Sequence, residues 1–198
     1  LPPSFLPVGE GRLYRKQLAM ARTFNAQPVL TLPADYTLPR WDAKILAAEG
    51  VRIVRSPISL ALNEAVQFVL EVLDAKGPLY MLYGDTLVEG ARLSELDQVA
   101  IQTTQSNYNW AEASTDNEGK LKITSGYGDG VSQRSVLCGF FSFSDAQELR
   151  HACVSASNFD DSIIGYAKVR HLHLNEVQEW HDFGHLSLVF QSRRKVMV

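Results

Sequence analysis

Two cysteines are all that 198 residues contain. Cys138 and Cys153 are too few and too far apart for the disulfide framework of a secreted domain or for a CxxC zinc site, so a reducing, cytoplasmic setting is expected. Both read as small core residues. Charge of one sign is also scarce: 19 Lys and Arg stand against 22 Asp and Glu, a net charge of −3. Such a balance gives no general attraction to nucleic acid or anionic lipid, and neither is an expected partner. The longest apolar runs, Gly139 to Phe143 and Leu79 to Tyr83, are strand-sized, far below the roughly 20 residues that cross a bilayer. The opening Leu1-Pro2-Pro3-Ser4-Phe5-Leu6-Pro7 has neither a basic region nor an initiator Met, so it is no signal peptide and reads as a chain whose start is missing. There is no internal repeat, low-complexity tract or linker. The length suits one domain able to bury a large core without disulfides or structural metals.

What is there is an alternation of strand and helix. Pro28 to Leu32 reads as a strand ended by Pro33, Trp41 to Glu49 as a helix closed by Gly50, and Val51 to Val54 as a strand halted before Pro57. Ser59 to Ala75 carries Leu62, Val66, Val69, Leu70 and Leu73 on one stripe, with Ser59 in the N-cap position and Gly77-Pro78 as the stop. Leu79 to Tyr83 is apolar throughout, as a central parallel strand is. The second half reads as strands over Val99 to Thr104, Asn109 to Ser114, Leu121 to Thr124, Ser135 to Phe143 and Val169 to Leu174, with a helix over Ser144 to Cys153. The expected fold is a single α/β domain whose mixed, mostly parallel sheet has helices on both faces.

Two carboxylates stand out. Asp85 follows Gly84 at the C-terminal end of the apolar strand, where open α/β sheets bind ligands, and suits a divalent metal held against phosphates. Asp182 lies in Trp180-His181-Asp182-Phe183-Gly184-His185 and could bring a second carboxylate to the same place. Read singly, each is equally well a simple turn.

Together they carry a family resemblance. LYMLYGDTL resembles the strand and metal-binding Asp of the sugar-1-phosphate nucleotidylyltransferases, and EWHDFGH resembles their late W-x-D-x-G motif. Leu137 to Phe143 resembles the family's strand with a glycine against the sugar, here Gly139, and Phe5 to Leu18 its L-P-V-x-x-x-P-L segment and following helix. A bacterial subgroup associated with capsule and surface polysaccharide shares W-x-D-F-G-H, and in some members a kinase-like domain follows; Gln191 to Lys195 resembles that junction. The resemblance implies one nucleotidyltransferase-like domain over residues 1–198. A sugar 1-phosphate would attack a nucleoside triphosphate, releasing pyrophosphate, with Asp85 and Asp182 as catalytic ligands of Mg²⁺. It also implies that Ser59, Asn63, Gly84, Gly139 and Gly184 bind substrate, the first two meeting the base.

The sequence departs from that family in places. The phosphate loop G-x-G-x-R and its Lys-Pro pair would lie before Leu1 or are replaced by Pro3-Ser4, so the first strand and phosphate loop are expected to be missing. Gly9-Glu10-Gly11-Arg12 imitates the loop but falls downstream of it, and Glu10 would repel phosphate. Gly119-Lys120-Leu121-Lys122 stands near the absent E-K-P sugar motif. A silent nucleotide- or sugar-binding module therefore competes with the enzyme. A glycosyltransferase of similar fold would want D-x-D, which Asp85-Thr86-Leu87 does not supply. His171, His173, His181 and His185 cluster in sequence, and Gly165-x5-His171-x-His173 matches the opening of a cupin signature. Glu176 comes too soon for it, and Gly184 argues for a turn between His181 and His185. Trp41, Tyr108 and Trp110 read as packing residues.

Overall fold

A computed structural model describes residues 1–91, 95–185, 188, 189 and 192. The polysaccharide-subgroup junction expected at Gln191 to Lys195 lies, apart from Ser192, outside the described residues. The chain opens with a 3-10 turn at Pro3–Phe5 and a small hairpin of β1 (Pro7–Val8) and β2 (Gly11–Arg12). Gly9-Glu10 is the turn of that hairpin, with Gly9 at φ +60°, so the stretch that imitates a phosphate loop is a β-turn instead. The guanidinium of Arg12 is spent on the chain itself, donating to the Phe5 carbonyl at 3.0 Å.

There follow α1 (Leu13–Arg22), β3 (Val29–Pro33), α2 (Arg40–Ala48), β4 (Arg52–Ser56), α3 (Leu62–Leu73) and β5 (Leu79–Leu82). The alternation read from the sequence is present. β3 and β4 pair in parallel, Leu30 opposite Ile53, as strands joined through a helix must be. α3 begins later than expected: its N-cap is Ala61, and Glu64 reaches back to accept from the Ala61 N–H at 2.8 Å. Ser59 is exposed and does not cap the helix.

After β5 the connections shorten and pairing turns antiparallel, since a tight turn can join only antiparallel neighbours. β6 (Thr86–Glu89), β7 (Gln98–Thr104), β8 (Asn109–Thr115), β9 (Leu121–Tyr127) and β10 (Arg134–Phe143) come first. Then α4 (Ala146–Ser155), α5 (Phe159–Ala167), β11 (His173–Glu176) and β12 (Glu179–Asp182) complete the described chain. β10 is the axis of the main sheet, with β7 along one edge and β8 and β5 sharing the other. Six of the eight pairings among the described residues are antiparallel. The mixed α/β class holds, with a smaller parallel share than the early strand-helix alternation suggested.

Helices cover both faces. Leu70 of α3, Leu149 of α4 and Phe159 and Ile163 of α5 pack with Phe141 and Phe143 of β10 in the largest core cluster. On the opposite face Met20 of α1 and Phe24, just past its C-terminal end, pack against Tyr80 and Phe140. Both cysteines are buried and free, as expected of core residues. Trp41 is not a packing residue, being 73% exposed on α2. No helix among the described residues is long and apolar enough to cross a membrane.

Candidate active site

β5 delivers Asp85 and β12 ends on Asp182, and the β6–β12 ladder brings them together. Thr86 is the register partner of Asp182, so Asp85 is carried beside Phe183, whose N–H donates to the Asp85 carbonyl at 2.8 Å. Gly184 marks the meeting point. A Cβ built there would stand 2.6 Å from Asp85 Oδ2 and 3.1 Å from Asp182 Oδ1. Those two distances bound the separation of the carboxylate oxygens at 5.7 Å. The sequence reading expected this convergence, though neither β6 nor β12 was foreseen.

Each carboxylate is held. Asp182 Oδ1 accepts from the Gly184 N–H at 2.6 Å, and its Oδ2 accepts from Trp110 Nε1 at 2.9 Å. The segment carrying Asp85 is pinned from the N-terminal region: Ser4 Oγ donates to the Gly84 carbonyl at 2.9 Å, and Gln17 Nε2 reaches the carbonyls of Tyr83, Gly84 and Thr86. Trp110, read as a packing residue, thus touches the site. The sequence singles out Ser4 only within the Pro3-Ser4 replacement of Lys-Pro and does not single out Gln17, since polar residues 80 and 67 positions from Gly84 carry no local signal.

Electrostatics favour a cation here. Burial pushes the Asp85 carboxyl above its ordinary range, and the neighbouring Asp182 charge pushes it the same way. Its own backbone N–H, His185 and the Thr86 hydroxyl pull it partly back. Among the described residues neither carboxylate has an ion-pair partner. No group of three or more His, Cys, Asp or Glu able to hold a metal occurs among the described residues. Two carboxylates fit Mg²⁺, which usually binds through one or two carboxylates and takes its remaining ligands from water and substrate phosphates.

An aromatic wall flanks Asp182. Trp110 meets Trp180 edge to face at 4.7 Å and stacks on Tyr108 at 5.2 Å, and Tyr108 stacks on His185 at 5.4 Å. A hollow of about 470 Å³ opens beside it, lined by Ser106, Asn107, Tyr108 and Trp110. The wall hangs on Arg134. Its Nη2 donates to the carbonyls of Tyr108 and Trp110 at 3.1 and 2.8 Å, and its Nη1 lies 3.1 Å from Glu112 Oε1.

The other residues singled out from the sequence have definite local partners. Asn63 is buried, and its Nδ2 donates to the Ala156 carbonyl at 3.0 Å, tying α3 to the end of α4. Gly84 makes room for Ser4, whose Oγ would be 2.9 Å from a Cβ there. Gly139 sits at φ +72° in the irregularity between Leu137 and Phe141, and a Cβ on it would meet Tyr83 Cδ2 at 2.5 Å. The space its missing side chain leaves is filled by the Tyr83 ring. The histidines do not gather. The rings of His171 and His173 meet edge to face at 4.6 Å, His181 is buried with its Nε2 3.5 Å from Glu179, and His185 lies against Tyr108.

The fold is similar to that of solved nucleotidyltransferases. Among solved structures the chain resembles the CTP:phosphocholine cytidylyltransferase of Streptococcus pneumoniae, with a TM-score of 0.73 at 14% identity, over 99% of this chain and 88% of that one. The inositol-1-phosphate CTP transferase of T. maritima gives 0.70 at 14%, over 99% and 87%. The nucleoside-diphosphate-sugar pyrophosphorylase of Vibrio cholerae RC9 gives 0.69 at 15%, over 98% and 92%. No protein-family model and no curated protein matches the sequence.

Proposed function

We propose that this chain carries out nucleotidyl transfer from a nucleoside triphosphate to a sugar 1-phosphate, in the service of surface-polysaccharide synthesis. The observation that supports it is the convergence of Asp85 and Asp182 on the Gly184 backbone. An acceptor phosphate oxygen attacks the α-phosphorus, a bond to the nucleotide forms, and pyrophosphate leaves with the bonding electrons. Such a step depends on positioning and charge neutralisation more than on acid or base groups of the protein. Asp85 and Asp182 would hold Mg²⁺. When bound, the ion offsets the negative charge that builds on the phosphate oxygens.

The chain's own groups set the geometry. Trp110 and the Gly184 N–H fix the two oxygens of Asp182, while Ser4 and Gln17 fix the backbone before Asp85. The hollow beside Tyr108 and Trp110 receives the acceptor. Gly184 leaves the space between the carboxylates open, and the exposed backbone at Ser59 ahead of α3 is offered to the base.

The test is pyrophosphate release with the four common triphosphates against a panel of sugar 1-phosphates and phosphocholine. Release that requires Mg²⁺ and is abolished in Asp85→Ala and Asp182→Ala is expected. One observation favours a second reading, a silent binding module: Gly9-Glu10-Gly11-Arg12 is a hairpin whose Arg12 is committed to Phe5. Saturable binding of triphosphate without release from any acceptor would select that reading.

A further inference from the structure

The start of β8 is held to the main sheet by a side chain. β8 pairs with β10 at one rung among the described residues, Val136 opposite Glu112, whereas its ladder with β9 runs the whole length of the strand. Ahead of that rung the chain turns sharply. The Trp110 N–H folds back onto the Tyr108 carbonyl at 3.1 Å, closing a three-residue turn. Arg134 of β10 reaches into this turn: its Nη2 donates to the carbonyls of Tyr108 and Trp110 at 3.1 and 2.8 Å, and its Nη1 to the Gly126 carbonyl at 3.2 Å. Gly126 is the register partner of Trp110, so one guanidinium grips both strands of the hairpin at a single rung. Glu112 Oε1 lies 3.1 Å from Nη1 and sets where the fork sits. Gly128 lets the following loop close over it, since a Cβ there would collide with the Ser106 carbonyl and stand 3.1 Å from Nη1.

Stability alone is a weak reason for this arrangement. The Arg134 side chain is 5% exposed and that of Glu112 40%, so a nearly buried cation is paired with an acid that water still reaches. The cost of desolvating such a cation consumes most of what the pair returns. Among the described residues its Nε is buried without a hydrogen-bond partner, which adds to that cost. What a guanidinium supplies, and an ammonium or an apolar side chain does not, is a flat fork of fixed geometry that addresses several acceptors at once. Those acceptors are the backbone of Trp110 and its neighbours, and Trp110 Nε1 bonds Asp182 Oδ2 at 2.9 Å.

We propose that Arg134, set by Glu112, is a positioning residue for the carboxylate pair: by fixing the backbone from Tyr108 to Trp110 it aims the Trp110 indole at Asp182 and so keeps Asp182 turned towards Asp85. Its consequence for rate rests on the nucleotidyl-transfer reading; the aim of the indole does not. Among the described residues Arg134 has no bond of its own to either aspartate. Its effect passes through Trp110. A lysine at this position keeps the charge and loses the fork, so it cannot hold the carbonyls of Tyr108, Trp110 and Gly126 together. Glu112→Gln keeps the shape of the partner and removes the charge that steers the guanidinium.

The test uses the full chain with its indole nitrogens labelled for NMR, alongside the pyrophosphate-release assay. The three tryptophans sit in different settings: Trp41 is exposed, Trp110 donates to Asp182, and Trp180 Nε1 is buried without a partner among the described residues. Trp110→Phe identifies the second signal. In Arg134→Lys that signal is expected to shift and its N–H to exchange with water about tenfold faster, the loss of one ordinary hydrogen bond, with the Trp41 signal unmoved. Glu112→Gln is expected to shift it in the same direction by less, and supplies the measurement if the lysine chain does not fold. Turnover by Arg134→Lys is expected to fall about tenfold in kcat with KM for the triphosphate unchanged, given that a misplacement of about 1 Å can cost about a hundredfold. The double variant with Trp110→Phe should be no slower than Trp110→Phe alone, because both changes break one path. An unmoved Trp110 signal in the folded variants, or kcat losses that multiply in the double variant, would overturn the proposal, as would a loss confined to the folded fraction. Absence of release from the parent chain overturns the catalytic reading and leaves the indole signal to decide the aim of Trp110.

Discussion

Trp110 Nε1 donates a 2.9 Å hydrogen bond to Asp182 Oδ2 across 72 residues of chain, and through it the β8–β9 hairpin sets the direction of a proposed metal ligand. A hydrogen bond to a charged group contributes about 1.5–3 kcal/mol. Trp110→Phe keeps much of the packing and removes the donor. Pyrophosphate release in the variant is expected to fall about tenfold or more in kcat, at 1.36 kcal/mol per tenfold, with little change in KM for the triphosphate. A purely structural role would lower the folded fraction and leave kcat per folded molecule unchanged.

Gly184 has an ordinary backbone conformation, so Gly184→Ala adds no left-handed strain. Its new methyl would stand 2.6 Å from Asp85 Oδ2. The carboxylate has to move by about an ångström, a displacement that can cost about a hundredfold in rate. Thermal stability near that of the parent chain, together with loss of any Mg²⁺-induced rise in Tm, is the expected signature. Undiminished release would remove Gly184 from the site.

Asp85 makes stability depend on pH in a defined direction. Its carboxyl is pushed above the ordinary value by burial and by Asp182, so the protonated form is favoured by folding. Its contribution is therefore fully present below about pH 4, the unfolded value, and is lost as pH rises through the raised folded value. Asp85→Asn should flatten that segment of the Tm-against-pH curve and raise Tm at pH 7. Mg²⁺ should raise Tm of the parent chain at pH 7 and not that of the variant.

Gly139→Ala places a Cβ 2.5 Å from Tyr83 Cδ2 on a residue at φ +72°. Left-handed strain of about 1–2 kcal/mol adds to overpacking of about 1–3 kcal/mol. Denaturant unfolding should show the loss. In the double variant with Tyr83→Ala, the overpacking share should be recovered and the backbone share kept.

Asn63→Ala separates tying from binding. Loss of the 3.0 Å bond to the Ala156 carbonyl should lower unfolding free energy by about 1 kcal/mol, with KM for the triphosphate unchanged. A raised KM at unchanged stability would place Asn63 in base binding, as the family resemblance implies.

Legibility in the sequence followed how local each signal was. Leu79 to Leu82 was readable because a continuous apolar run is bounded by Gly77-Pro78 and Gly84, and its end fixed Asp85 at the sheet's C-terminal edge. Asp182 was readable only through its neighbours Trp180 and Gly184, since β12 and β6 are four-residue strands whose pairing is decided far along the chain. α5 was overlooked because Asp160, Asp161 and Gly165 blur its apolar stripe. Asn158, whose Oδ1 accepts from the Asp161 N–H, was the start signal there. The strand expected from Val169 begins instead at His173, because Val169 and Arg170 still fold back on the Tyr166 carbonyl. Ser59 looked like a cap by residue type, whereas the capping contact at Ala61 comes from Glu64 three residues later.

The pairing of Thr86 with Asp182 has a consequence for the order of folding. Every element from β7 to β11 lies inside the loop that this ladder closes. The entropy of closing a loop grows with its length, and non-local contacts form after local ones. The carboxylate pair is then among the last features to form in refolding. A single backbone cut within the β8–β9 turn would leave the hairpin's strands paired while depriving the two aspartates of the covalent loop that assembles them.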